Sequence, residues 1–86
     1  MTIQIKVLFF SVLRELAGVE RITLSLGAAG GSPSLRDFLA VLYEAYPGLE
    51  KWDNSLLLAV NAEFATRDTL LSDGDEIALM PPVQGG

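Results

Sequence analysis

The sequence has 86 residues, half of them apolar, with a net charge of −5 and neither cysteine nor histidine. This length predicts one domain, and the missing residue types argue against disulfides, thiolate metal sites and an autonomous hydrolase or metalloenzyme. The lysines and arginines are scattered singly and predict no nucleic-acid partner, while the acidic excess suits either docking onto a basic protein surface or ordinary solubility.

The N-terminal segment MTIQIKVLFF lacks the basic leader and the small-residue cleavage site of a signal peptide. No apolar run reaches the roughly 18 residues of a membrane helix. We therefore expect a cytoplasmic protein with no membrane partner.

Alternation along this first segment predicts a β-strand. The residues on its core face are Ile3, Ile5, Val7 and Phe9. On the other face Leu8 and Phe10 interrupt the polar pattern, so we do not expect that end of the face to be solvated. The next segment, SVLRELAG, predicts a short helix with Ser11 as its cap and Gly18 at its end. RITLSL alternates again and predicts a second strand, antiparallel to the first.

The segment SLRDFLAVLYEAYPG predicts the main helix. Its apolar residues are spaced three and four apart and share one face: Leu35, Phe38, Leu39, Leu42 and Tyr46. Ser34 is the expected N-cap, with Asp37 in the first turn, and Ser32 before Pro33 is the alternative. LEKWDN then predicts an irregular connection in which Trp52 covers the edge of the core.

The remaining segments predict three strands. LLLAVN reads as a buried strand and AEFAT as a turn with a short edge strand. A turn at Asp73-Gly74, with positive φ at the glycine, precedes a last strand from Glu76 to Met80. This order predicts an α+β fold of the β-grasp, ubiquitin-like type, in which one helix crosses a mixed sheet and the first and last strands pair in parallel. We assign residues 1–80 to this domain and residues 81–86 to a projecting C-terminal tail.

The tail, PPVQGG, predicts a reactive end. Pro81 and Pro82 cannot extend a sheet and stiffen the exit of the chain. Gly85 and Gly86 have no side chain, so they can thread through a slot that would reject a Cβ atom. Nothing in the chain itself activates the Gly86 carboxylate, but a partner enzyme could adenylate it with ATP.

Three stretches carry a family resemblance: IKVLFFSVLRELAG, LLLAVN and LSDGDEIALMPPVQGG. On these motifs the sequence resembles the family of small, sulfur-carrying subunits of molybdopterin synthase. DGDE and a final GG are shared with other β-grasp sulfur carriers, whereas FF…LRELAG combined with PPV-x-GG is typical of the molybdopterin branch.

The resemblance implies that Gly86 reacts in a cycle run by partners. An adenylating enzyme related to ubiquitin activators uses ATP on Gly86, and a sulfurtransferase then makes its thiocarboxylate. The tail, with Gly85 as threading neighbour, delivers the sulfur to cyclic pyranopterin monophosphate inside a large subunit, in a heterotetramer of two small and two large subunits. The resemblance places the catalytic side chains on the large subunit and implies no cofactor or metal on this chain.

Strand parity predicts a docking patch. Phe10 and Met80 point away from the helix on neighbouring strands, and clustered exposed apolar groups mark interfaces, although scattered surface apolar residues are common. The partner-binding residues expected are Phe10, Phe64, Met80, Pro81, Pro82 and Val83. Other functions stay open: a sulfur carrier for thiamine or for tRNA thiolation, a ubiquitin-like protein modifier, or a plain binding module with an idle tail.

Overall fold

The structure is a computed structural model that describes residues 1–82. Its elements are β1 (Thr2–Phe9), α1 (Val12–Ala17), β2 (Arg21–Gly27), α2 (Leu35–Ala45), β3 (Leu57–Val60), β4 (Glu63–Phe64) and β5 (Glu76–Met80). A 3-10 helix, Pro47–Ser55, joins α2 to β3, where the sequence predicts an irregular connection. No helix among residues 1–82 has the length and apolar character needed to cross a membrane.

The five strands form one mixed sheet in the order β2-β1-β5-β3-β4. β1 pairs antiparallel with β2 and parallel with β5, while β3 pairs antiparallel with both β5 and β4. The predicted parallel pairing of the first and last strands at the centre of the sheet is confirmed. With α2 on one side of this sheet, the predicted α+β, β-grasp fold is confirmed as well.

The core lies between α2 and one face of the sheet. The fully or nearly fully buried side chains of the two central strands and of α2 are Ile5, Val7, Phe9, Ile77, Leu79, Leu35, Phe38, Leu39 and Leu42. Trp52 and Tyr46 are half-buried and pack against this cluster, and the Tyr46 ring meets Phe9 edge-on at a centroid distance of 5.8 Å. Burial of one such aliphatic or aromatic side chain stabilises a fold by about 1.5–3 kcal/mol.

The turns carry the residues with positive φ. Gly74 has φ 88°, as the sequence predicts. Asn61 and Ala62 form the two-residue loop between β3 and β4 with φ 50° and 70°, which is typical of a type I′ hairpin turn. Gly18 ends α1 in the left-handed conformation. The expected capping by Ser11 is wrong: with φ 57° and ψ −131° its backbone departs from the extended geometry of an N-cap, and its side chain makes no capping bond.

Ser34 caps α2 through a reciprocal pair of hydrogen bonds. Its hydroxyl oxygen accepts from the backbone N–H of Asp37 at 3.2 Å, and its own N–H donates to the Asp37 carboxylate at 2.9 Å. The bond from the Ser34 N–H to the Asp37 carboxylate, and a second one that the Ser34 hydroxyl donates to it at 3.1 Å, hold the pKa of Asp37 below its usual value. The cap is therefore at full strength above the ordinary pKa of an unfolded aspartate and weakens as the pH falls through the lower folded value.

Replacement of Ser34 by Ala is expected to lower the free energy of unfolding by about 1 kcal/mol, because the N-terminal amides of α2 lose their acceptor. Urea unfolding at pH 7 measures the change. Ser32→Ala is the matched control and is expected to change stability by less than about 0.5 kcal/mol, since Ser32 is exposed and lies outside the helix. Equal losses in the two variants would contradict the assignment of Ser34 as the cap.

Candidate functional site

The face of the sheet opposite α2, which we name the open face, carries a row of directly opposed residues across all five strands. From β4 to β2 the row reads Phe64, Ala59, Ala78, Leu8 and Arg21. Opposed residues in neighbouring strands share a face and bring their Cβ atoms within about 5 Å. The next row, toward the end of β5, pairs Leu57 with Met80. Phe10 continues this row, because its N–H donates to the Leu79 carbonyl oxygen at 3.2 Å.

These residues form an apolar groove with a volume of about 270 Å³. Its lining consists of Leu8, Phe10, Ala59, Ala62, Phe64, Glu76, Ala78 and Met80. Phe64 is 79% exposed and Phe10 is 45% exposed. Large apolar side chains exposed side by side mark a binding surface. The groove is smaller than the roughly 300–1,000 Å³ of a typical small-molecule site, so it fits side chains of a protein partner better than a drug-sized ligand.

The structure brings together three of the residues that the sequence predicts for docking. Phe10, Phe64 and Met80 all line the groove, and their contact with a partner stays a prediction. Pro81 and Pro82 follow β5 directly, outside the strand, and are half-buried. The predictions for Val83, Gly85 and Gly86 fall outside the described residues.

Five further residues line the groove but were not predicted as docking residues: Leu8, Ala59, Ala62, Glu76 and Ala78. For Ala59 the signal exists in the sequence. Alternation about the buried Leu58 places Ala59 on the open face, opposite Phe64. Ala62 reaches the groove through the backbone of the hairpin turn, which no hydrophobic pattern encodes.

The acidic turn before β5 serves the backbone. The Asp73 carboxylate accepts from the N–H of Gln4 at 2.7 Å, and the Asp75 carboxylate accepts from the N–H of Ser72 at 2.8 Å. The side-chain amide of Asn61 also donates to Asp75 at 3.0 Å. Within residues 1–82, no group of three or more acidic side chains is arranged to hold a metal ion.

A second polar cluster lies between α2, the 3-10 helix and the loop before β5. The Tyr43 hydroxyl donates to Asp53 at 2.5 Å, and Arg67 pairs with the same carboxylate at 2.9 Å. Burial, helped by the bond to Asp53, raises the pKa of Tyr43 well above its usual range. Burial alone would raise the pKa of Asp53, but the bonds from Tyr43 and Arg67 outweigh burial and lower it. Because Tyr43, Asp53 and Arg67 each have a partner within the cluster, we assign the cluster a structural role.

Comparison with known proteins gives consistent matches along the whole chain. The model of the ThiS family matches residues 7–86. The molybdopterin synthase sulfur carrier subunit of Chlamydomonas reinhardtii is 39% identical over 85 residues, which cover 96% of this chain and 99% of the relative. Small archaeal modifier protein 1 of Methanosarcina acetivorans has a TM-score of 0.79 at 32% identity, with 100% and 99% of the two chains covered. A complex of subunits 1 and 2 of the molybdopterin-converting factor from Helicobacter pylori contains a chain with a TM-score of 0.69 at 30% identity, covering 98% of this chain and 100% of that one.

Two phenylalanines test whether the groove is surface and not core. Phe64→Ala is expected to change the free energy of unfolding by less than about 0.5 kcal/mol, since this side chain is mostly exposed. Phe38→Ala, the matched control on α2, is expected to cost about 3–5 kcal/mol because Phe38 is fully buried. Denaturant unfolding measures both variants, and a large loss for Phe64→Ala would contradict the open groove.

Proposed function

The chain belongs to the ThiS family, and from that premise we propose that it carries sulfur for the synthesis of molybdopterin. The observation that carries the proposal is its similarity, over 96% of its length, to a molybdopterin synthase sulfur carrier subunit. The apolar groove supports it independently, because a carrier that works inside a partner needs a docking surface near the end of its last strand.

The reacting group in this proposal is the carboxylate of Gly86. The sequence contains no histidine and no cysteine, the residues most often used for acid–base and sulfur chemistry. Activation is therefore assigned to partner enzymes. Glycine at positions 85 and 86 keeps the acyl carbon free of side chains and allows it to enter a narrow channel.

The sulfur is loaded onto Gly86 in three steps. The Gly86 carboxylate attacks the α-phosphorus of ATP on an adenylating enzyme and releases pyrophosphate. A sulfurtransferase persulfide then attacks the acyl carbon of the adenylate and displaces AMP, which leaves an acyl disulfide. A thiol cleaves the sulfur–sulfur bond by forming a disulfide with the sulfurtransferase, and the chain is released as a thiocarboxylate.

Delivery takes place in the active site of a large subunit that docks on the groove. The thiocarboxylate sulfur attacks a carbon of cyclic pyranopterin monophosphate and displaces an oxygen substituent from that carbon. Water then hydrolyses the resulting thioester, which leaves the sulfur on the pterin as a thiolate and returns Gly86 to a carboxylate. Two such deliveries supply the dithiolene. The complex of two molybdopterin-converting factor subunits from H. pylori supports a large-subunit partner, and we propose the heterotetramer of two small and two large subunits for this chain.

A second candidate function is protein modification through the same carboxylate, which would form an isopeptide bond with lysine side chains. It is favoured by the similarity to small archaeal modifier protein 1. Peptides that join Gly86 to lysines of many different proteins would support it over sulfur transfer to a pterin.

Deletion of Gly86, or addition of one alanine after it, is expected to abolish sulfur transfer. The reacting carbon is removed in the first variant and displaced in the second, while the unfolding temperature stays unchanged. For the chain without mutations, mass spectrometry of the C-terminal peptide from sulfur-replete cells is expected to show one sulfur in place of one oxygen. Free carboxylate alone under all such conditions, or full transfer by the deletion variant, would contradict the proposal.

Docking on the groove is tested by Phe64→Ala, which is expected to weaken binding of the large subunit about tenfold or more, as expected for an exposed aromatic anchor. Leu70→Ala is the matched control, since Leu70 is 65% exposed but does not line the groove. Titration calorimetry with the purified large subunit measures both. Equal affinity of Phe64→Ala and the unmodified chain would refute docking through the groove.

A further inference from the structure

The cations of this acidic chain divide into two groups. Three of its six lysines and arginines form ion pairs: Arg14 with Glu20 at 3.8 Å, Arg36 with Asp68 at 2.9 Å and Arg67 with Asp53 at 2.9 Å. Within residues 1–82, Lys6, Arg21 and Lys51 form no ion pair. All three of these are exposed.

Two of these unpaired cations lie on the open face, at one border of the groove. Arg21 of β2 is directly opposite Leu8, which lines the groove. Lys6 of β1 is opposite Thr23 on one side and Glu76 on the other. Because opposed residues share a face, both cations stand beside the apolar row. Lys51 belongs to the 3-10 helix, which packs against α2 and α1 and not against this face.

The groove is therefore asymmetric in charge. Its border on β1 and β2 holds Lys6 and Arg21, whereas its β4 border holds the exposed ring of Phe64. Four strand spacings separate Arg21 from Phe64, a distance of about 20 Å. A uniformly acidic surface attracts a basic partner in many orientations, but a local pair of opposite sign favours a single one.

We propose that Lys6 and Arg21 form a cationic rim that receives a carboxylate side chain of the large subunit and so fixes the orientation in which it covers the groove. This inference rests on the proposed function. A guanidinium binds a carboxylate through two parallel hydrogen bonds, and the pair strengthens when the adjacent apolar surfaces exclude water. A polyanion such as nucleic acid is not the occupant, because two cations on a body of net charge −5 give little attraction for it.

The test compares two charge reversals that change the net charge equally. Arg21→Glu and Lys51→Glu each replace a positive by a negative charge and take the net charge from −5 to −7. We expect Arg21→Glu to weaken binding of the purified large subunit about tenfold at low salt, mainly through slower association. Lys51→Glu is expected to stay within about twofold of the unmodified chain. At about 0.5 M salt the two variants are expected to converge, because the Debye length falls to a few ångströms.

The possible outcomes distinguish the proposed role of the cationic rim from docking through the groove. Equal losses in Arg21→Glu and Lys51→Glu would show an effect of net charge alone and overturn the rim. Unchanged binding of Arg21→Glu together with weak binding of Phe64→Ala would overturn the rim and leave the proposed docking intact. Unchanged binding of Phe64→Ala would instead refute docking through the groove, while the proposed sulfur transfer is tested separately by deletion of Gly86. Arg21→Gln cannot repel a carboxylate, so its affinity for the large subunit is expected to lie between those of the original chain and Arg21→Glu. An affinity of Arg21→Gln equal to that of the original chain would also contradict the rim.

Discussion

The parallel pairing of β1 with β5 is the constraint on which the rest of this structure depends. It joins the first and last strands at the centre of the sheet, so residues 6–9 and residues 76–79 are held to one another by backbone hydrogen bonds. The N–H of Phe10 extends this ladder by donating to the carbonyl oxygen of Leu79, which sets Phe10 beside Met80. The same pairing fixes where the chain leaves the sheet, immediately before Pro81.

A two-layer fold with one main helix buries only one face of its sheet. On the buried face, Ile5, Val7, Ile77 and Leu79 are sealed by α2. On the open face, the row from Phe64 to Leu8 is also apolar, although no layer of residues 1–82 lies over it. An apolar second face does not stabilise an isolated domain of this kind, so its presence favours a protein partner. Under the proposed function that partner is the large subunit, which covers the groove while its active site receives Gly86.

Much of the fold follows from alternation and spacing. The predicted last strand, Glu76 to Met80, agrees with β5 in both bounds, and the three-four spacing from Leu35 to Leu42 identifies the buried face of α2. Alternation and spacing could not predict the 3-10 helix at Pro47–Ser55, because helices of this type have no strong periodic pattern of apolar residues. The positive φ of Ser11 (57°) could not be predicted either, because non-glycine residues rarely adopt such a conformation and no sequence pattern at Ser11 indicates it.

Only part of the candidate site could be predicted from the sequence. Parity alone placed Phe10 and Met80 on one face, because each follows a buried neighbour by one residue. The floor and rim of the groove required the register of five strands, which alternation within single strands does not determine. Arg21 shows the difference: as a lone exposed arginine it has no special meaning, and only its position opposite Leu8 gives it one.

Amide chemical-shift mapping of the isotopically labelled chain, titrated with the large subunit, tests most directly whether the open face is the docking surface. We expect the largest changes on Leu8, Phe10, Ala59, Ala78 and Met80 and on the final glycines, while the amides of α2 stay nearly unchanged. Changes concentrated on α2 and the 3-10 helix, with the open face unaffected, would contradict docking through the groove.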